Sequence, residues 1–199
     1  MDDLSSLSLA DIARMAEEQR LPPVDKWQPT HCGDSLMRIA RDGIWYHEGS
    51  PIGRPAMVRL FSTILRREPD GGFVLVTPVE KLDIEVEDAP FVAVELKSEG
   101  AGKDRILAFR LNTGDAVVAG PDHPLRFRGD SHFSARQRQV DTGLGKSDCP
   151  HPYLHVRSGL DALVARSVYY ELAEIALSEG AAVPGVWSGG AFFALEPGA

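Results

Sequence analysis

The chain has 199 residues, 43% of them hydrophobic, and a formal net charge of -8. That is enough apolar material for the core of one domain or two small ones, and the acidic balance disfavours general nucleic-acid binding, where Lys and Arg must neutralise phosphates. No apolar run approaches the roughly 20 residues of a membrane span, the acidic start Met1-Asp-Asp-Leu-Ser-Ser6 lacks a signal-peptide pattern, and Cys32 and Cys149 are far apart without metal-type spacing. The expectation is a soluble, cytoplasmic protein.

Ser8-Leu-Ala-Asp11 resembles a capping box, and Leu9, Ile12, Ala13 and Ala16 follow it at helical spacing. A lead-in helix is expected there, ending before Pro22-Pro23 because a residue preceding proline is pushed out of helical geometry. Residues 24–34 look irregular. Arg41-Asp42-Gly43 lies between two apolar runs, 37–40 and 44–47, and Asp-Gly in that setting signals a hairpin. Pro55 suits the first turn of a helix, whose apolar face reads Met57, Leu60, Phe61, Ile64 and Leu65. Glu68-Pro-Asp-Gly-Gly72 stops it.

Strands are expected at 73–76, 82–86, 91–96, 105–111, 116–119 and 125–128. In the second of these Asp83, Glu85 and Glu87 alternate with apolar residues, so one face is solvated. Residues 129–152 are poor in apolar side chains and read as a long mobile loop. Tyr153-Leu-His-Val-Arg157 reads as a strand, Ser158-Gly159 as a corner, and the next residues as a helix with stripe Ala165, Val168, Tyr169, Leu172 and Ala173. The chain closes with a glycine-rich turn at 185–190 and a strand at 191–195.

The second of these units echoes the first. His155 and Ser158 lie 108 residues after His47 and Ser50, and the second helical stripe repeats the first at the same offset. Two units of this kind suggest duplication, each burying the face the other leaves exposed. The expected fold class is therefore α+β, with two related strand/helix modules. Residues 1–88 hold the lead-in helix and first repeat; residues 89–199 hold the second repeat, an extended antiparallel sheet and the 129–152 loop.

Candidate chemistry clusters at the two corners, 50–54 and 158–161. A helix N-terminus presents unpaired N–H groups and partial positive charge, which suits an anion. Arg54, Arg59, Arg157 and Arg166 lie nearby in sequence. Against this, every helix has an N-terminus, and Asp161 can itself fill the second one. His47 and His155 sit at matched strand ends, where a histidine can donate to phosphate or act as a base; the plainer alternative is a half-buried histidine satisfying a neighbouring carbonyl or carboxylate. Lys81 and His123 follow strands and either line a cleft or lie on the surface, and Trp187, beside glycines, is the aromatic best placed to cover a base. Cys149, His151 and His155 lack a fourth ligand nearby, so no metal or cofactor is called for. No P-loop, Gly-x-Ser-x-Gly, His-Glu-x-x-His or dinucleotide-binding motif is present, so no catalytic residue is named.

Arg41-Asp-Gly-Ile-Trp-Tyr-His47, Pro51-Ile-Gly-Arg54, Val58-Arg-Leu-Phe61, Val76-Thr-Pro-Val-Glu-Lys81, Glu87-Asp-Ala-Pro-Phe91, His123-Pro-Leu125, Tyr153-Leu-His-Val-Arg157 and Val186-Trp-Ser188 together resemble the bacterial family labelled domain of unknown function 1285. The resemblance spans nearly the whole chain. It implies a duplicated α+β core whose second half is loosely pleckstrin-homology-like, an antiparallel sheet closed by a helix. It also implies a ligand in the cleft between the halves and a part in signal transduction, and it supplies no catalytic residue.

The leading functional reading is a non-catalytic protein that binds a small anionic ligand, with nucleotides among the candidates, between its halves. The alternatives are an enzyme acting on a phosphorylated or acyl substrate with His47 or His155 as base, and a protein-interaction module with a signalling partner.

Overall fold

The computed structural model of the chain describes residues 21–128, 151–180 and 183–195. The lead-in helix expected before residue 21, and residues 129–150 of the expected loop, lie outside them. Among the described residues strands dominate. The first half runs β1 (His31–Ile39), β2 (Trp45–His47), β3 (Ser50–Pro51), helix α1 (Pro55–Thr63), β4 (Leu65–Arg67), β5 (Phe73–Val76) and β6 (Glu80–Val86). The second half runs β7 (Phe91–Glu99), β8 (Ile106–Leu111), β9 (Ala116–Val118), β10 (Leu125–Arg128), β11 (His151–Arg157) and β12 (Leu160–Val164). Helix α2 (Arg166–Glu179) and a hairpin of β13 (Gly185–Ser188) and β14 (Ala191–Ala194) complete it.

The two six-stranded sheets have the same topology. In the order β3-β2-β1-β6-β5-β4, an antiparallel meander β1–β3 joins a second meander β4–β6 through the parallel pair β1 and β6. Reading the second sheet as β9-β8-β7-β12-β11-β10 gives the same arrangement, joined by the parallel pair β7 and β12. The chain is thus mostly β, built of two similar halves, and the α+β expectation is corrected. The second half is not antiparallel throughout, as a pleckstrin-homology-like sheet would be, because its middle is a parallel pair.

Connections show that the sheets curl. In the second sheet β9 and β10 are opposite edges, yet only residues 119–124 join them. That link turns back on itself through reciprocal hydrogen bonds between Gly120 and His123, at 3.2 and 3.1 Å. A flat six-stranded sheet is roughly 24 Å across, more than a doubled-back link of this length covers, so the edges must approach one another. In the first sheet α1 makes the equivalent crossing from β3 to β4.

The excess of helix expected from sequence has a local cause. Ser158 and Gly159 take φ of 41° and 74°, the left-handed pair that a tight hairpin requires. Leu160–Val164 then forms β12, and Asp161 faces His155 across the hairpin instead of capping a helix. Helix α2 begins only at Arg166 and buries Val168, Leu172 and Ala176, ending at Gly180 with φ of 59°. In and just after α1 the expected apolar stripe holds in part: Phe61, Ile64 and Leu65 face the core together with Val58 and the buried Ser62, while Met57 and Leu60 are 37% and 60% exposed.

The repeat is also re-registered. The first hairpin closes on His47 opposite Ser50, the second on Arg157 opposite Leu160, so the local offset is 110 and not 108. His155 therefore corresponds to Trp45, and Arg157 to His47. The resemblance is local, because β2–β3 is an edge hairpin of its sheet whereas β11–β12 occupies the place of β5–β6.

One apolar cluster spans both halves, from Ile39, Trp45 and Leu65 to Phe91, Phe109, Leu154 and Leu172. The last hairpin is held to it by Ser188, whose buried hydroxyl accepts from Leu107 N at 2.9 Å and donates to Ala119 O at 2.7 Å. No helix among the described residues is long and apolar enough to cross a membrane.

Candidate functional site: a cavity at the seam of the two halves

The halves are stitched mainly by side chains gripping backbone carbonyls. Asn112 Nδ2 donates to Gly43 O at 3.0 Å, Arg59 Nε to Thr113 O at 3.1 Å, Arg67 Nη1 to Gly159 O at 3.2 Å and Arg157 Nη2 to Ser62 O at 2.7 Å. The linker between them carries the buried Asp88, which accepts from Tyr153 Oη at 2.8 Å and pairs with Arg41 at 3.0 Å. Asp88 therefore has a specific task in the seam, unlike the exposed Asp83, Glu85 and Glu87 of the solvated strand face.

Along this seam opens a cavity of about 110 Å³. Leu21, Pro22, Val24, Leu65 and Leu160 give it apolar walls, while Asp25, Thr63, Arg66, Arg157 and Ser158 supply polar groups. Its two guanidinium groups differ. Arg66 makes three hydrogen bonds, donating to Glu68 Oε1 at 2.7 Å and to Val24 O and Trp27 O at 2.9 and 2.8 Å. Glu68 in turn receives Lys81 Nζ at 3.1 Å. Burial alone would raise the Glu68 carboxyl, but the hydrogen bonds and charges of Lys81 and Arg66 outweigh it and hold the group below its ordinary value. Lys81 is correspondingly raised by Glu68.

Arg157 has no such company. Among the described residues it makes one hydrogen bond, to Ser62 O, and its guanidinium lies 5.1 Å from the ring centroid of Phe91. Burial pushes its pKa down, opposed by the more distant charge of Asp115. A guanidinium carries five N–H donors, so most of its fork has no partner among the described residues, and no nitrogen of it is both buried and unbonded, which leaves those donors facing solvent. A bulge between His155 and Arg157 shifts the register of β11 on β12 just before the tight turn.

The other expected site residues do not converge here. Arg54 is the exposed N-cap residue of α1 and Arg166 the exposed first residue of α2. Arg59 lies on the outer side of α1, turned to Thr113. His47 is exposed on the edge hairpin. His155 Nδ1 donates to Oδ1 of the buried Asp161 at 3.0 Å, and His123 Nδ1 lies 3.2 Å from His155 O. His47 and His155 are not at matched strand ends, since they occupy non-equivalent positions on different sheets. Trp187 packs against Phe192 at 5.2 Å with Lys103 over its ring at 5.3 Å, in the terminal hairpin. The second corner is a β-turn with no helix N-terminus to offer an anion. Arg66 and Asp25 were not singled out from sequence; alternation in a three-residue strand is too short a signal to reveal them.

Comparisons place the chain among related proteins. The family model described as "Domain of unknown function (DUF1285), N-terminal domain" matches residues 22–89, and the corresponding C-terminal model matches residues 90–195. A crystal structure of a DUF1285 family protein from Silicibacter pomeroyi DSS-3 is similar at 44% identity and a TM-score of 0.75, covering 94% of each chain. A DUF1285 family protein from Shewanella baltica OS155 shares the fold at 22% identity and a TM-score of 0.50, covering 71% of this chain and 92% of that one. No curated protein matches the chain.

Proposed function

The chain belongs to the DUF1285 family, and from that membership we propose that it is a non-catalytic protein that binds a small anion in the seam between its halves, with Arg157 as the anchoring residue. The observation that supports this reading is the state of that guanidinium: buried enough to be depressed, bonded once, and open to a cavity. A charge in such a place gains most from an anion that meets its unmet donors. Because Arg157 also holds the last turn of α1, occupancy would be felt across the seam, which is the physical content of a signalling role. The cavity is small beside the ~300–1,000 Å³ of sites that take drug-sized ligands, so a whole nucleotide fits poorly and an isolated acid group fits well. Isothermal titration of wild type and Arg157→Ala against small carboxylates, inorganic phosphate and mononucleotides tests it. Heat from at least one anion that disappears in the variant is expected; silence across all three groups overturns the reading.

A second reading rests on His155. Its Nδ1 is fixed by the buried Asp161, an arrangement that leaves Nε2 as the nitrogen to take up a proton. A hydrolase screen on phosphorylated and acyl substrates, repeated with His155→Ala, tests it; activity that persists in the variant removes His155 as the base.

A further inference from the structure

We infer that the seam cavity selects a short aliphatic monocarboxylate, in preference to phosphate or any dianion; this rests on the anion-site reading and narrows it. Size sets the first limit. An engineered cavity of about 150 Å³ takes a benzene ring, so the 110 Å³ here holds about four or five non-hydrogen atoms, the size of acetate or propionate. Inorganic phosphate meets that limit too, so the choice falls to chemistry.

Inorganic phosphate at neutral pH is a mixture of monoanion and dianion, and either form has several oxygens that all need donors. The cavity has few to give. The Thr63 hydroxyl already donates to Leu60 O at 2.7 Å, and Arg66 is spent on Glu68 and two carbonyls. The Ser158 hydroxyl stands 3.5 Å from the carboxylate of Asp25, which lines the same wall and opposes a dianion about twice as strongly as a monoanion. What is left is one planar fork, that of Arg157, with a single positive charge to set against the incoming anion. That matches the two coplanar oxygens of a carboxylate side-on. Half the lining is aliphatic: Leu21, Pro22, Val24, Leu65 and Leu160 offer phosphate oxygens nothing, and an unmet charged oxygen against such a wall is costly. The same wall favours a one- or two-carbon tail at about 25 cal/mol per Å² buried.

The test is titration of the full chain with sodium acetate, sodium propionate, inorganic phosphate and the neutral isostere propionamide. Propionate is expected to bind at least about tenfold more tightly than phosphate or propionamide, and Arg157→Met to weaken it by about tenfold or more. The propionate-to-propionamide ratio is read on wild type, so it stands even if the variant folds poorly. Phosphate binding as tightly as propionate, with both lost in Arg157→Met, overturns the carboxylate assignment and leaves the anion site in place. No binding of either anion overturns both. Propionamide binding as tightly as propionate overturns the role of the charge.

Discussion

Arg157 Nη2 reaches Ser62 O at 2.7 Å, so a side chain from the end of β11 in the second half closes the last turn of the helix in the first. Replacing it by Met removes a charge-assisted hydrogen bond but also a partly desolvated charge. These effects oppose, and the net loss of stability is expected below about 1.5 kcal/mol by urea denaturation. A loss above about 4 kcal/mol would mean that the residue is chiefly a structural clamp.

Gly43 has φ of 82°, and a Cβ there would lie 2.5 Å from Asn112 Nδ2 and 2.8 Å from Val92 Cγ2. Gly43→Ala therefore strains the turn and displaces the Asn112 link to the other half, costing about 2–4 kcal/mol. Gly49 has φ of 79° with nothing within 4 Å of such a Cβ, so Gly49→Ala should cost only the backbone strain, about 1 kcal/mol. The two denaturation curves separate seam contact from turn conformation.

Glu68 supplies a pH test. Its carboxyl is held below the ordinary 4.5 in the folded chain, so its stabilisation is complete above that value and is lost as pH falls through the lower, folded-state value. Wild type should exceed Glu68→Gln by about 1–2 kcal/mol at pH 7, and the gap should close in acid below about pH 4. A gap that widens in acid would contradict the assigned role.

The Ser188 hydroxyl serves two buried backbone groups, Leu107 N and Ala119 O. Ser188→Ala leaves both without that partner and should cost about 2–3 kcal/mol. Faster amide exchange at Leu107 than at Phe109 would localise the loss.

Leu172 is fully buried in α2 while Leu60 is 60% exposed on α1. Leu172→Ala should cost about 2–5 kcal/mol, and Leu60→Ser no more than about 0.5 kcal/mol. Their urea midpoints check the corrected helix faces directly.

Local elements were legible because their signals are local. Asp42-Gly43 gives the expected turn, with Gly43 N bonded to Ala40 O, Pro55 opens α1, and the alternation of Leu82, Ile84 and Val86 marks β6. The fold class was not legible, because β1 beside β6 and β7 beside β12 are parallel contacts between distant segments that leave no periodicity in either strand. The two halves are similar, but the 108-residue alignment shows how a motif misleads: Ser158-Gly-Leu-Asp161 has the letters of a cap, but left-handed φ at Ser158 and Gly159 makes it a hairpin. Arg157 was legible as a cation at a strand end; that it is underpaired follows only from which carbonyl and ring it meets.

The parallel joints also dictate when each half can become itself. His31 sits opposite Glu80 and Phe91 opposite Ala162, so in both sheets the opening strand must wait for the closing one. Hairpins can zip as they leave the ribosome, but neither sheet can lock until its whole segment has emerged, and this high contact order makes slow, late consolidation the kinetic signature of the architecture.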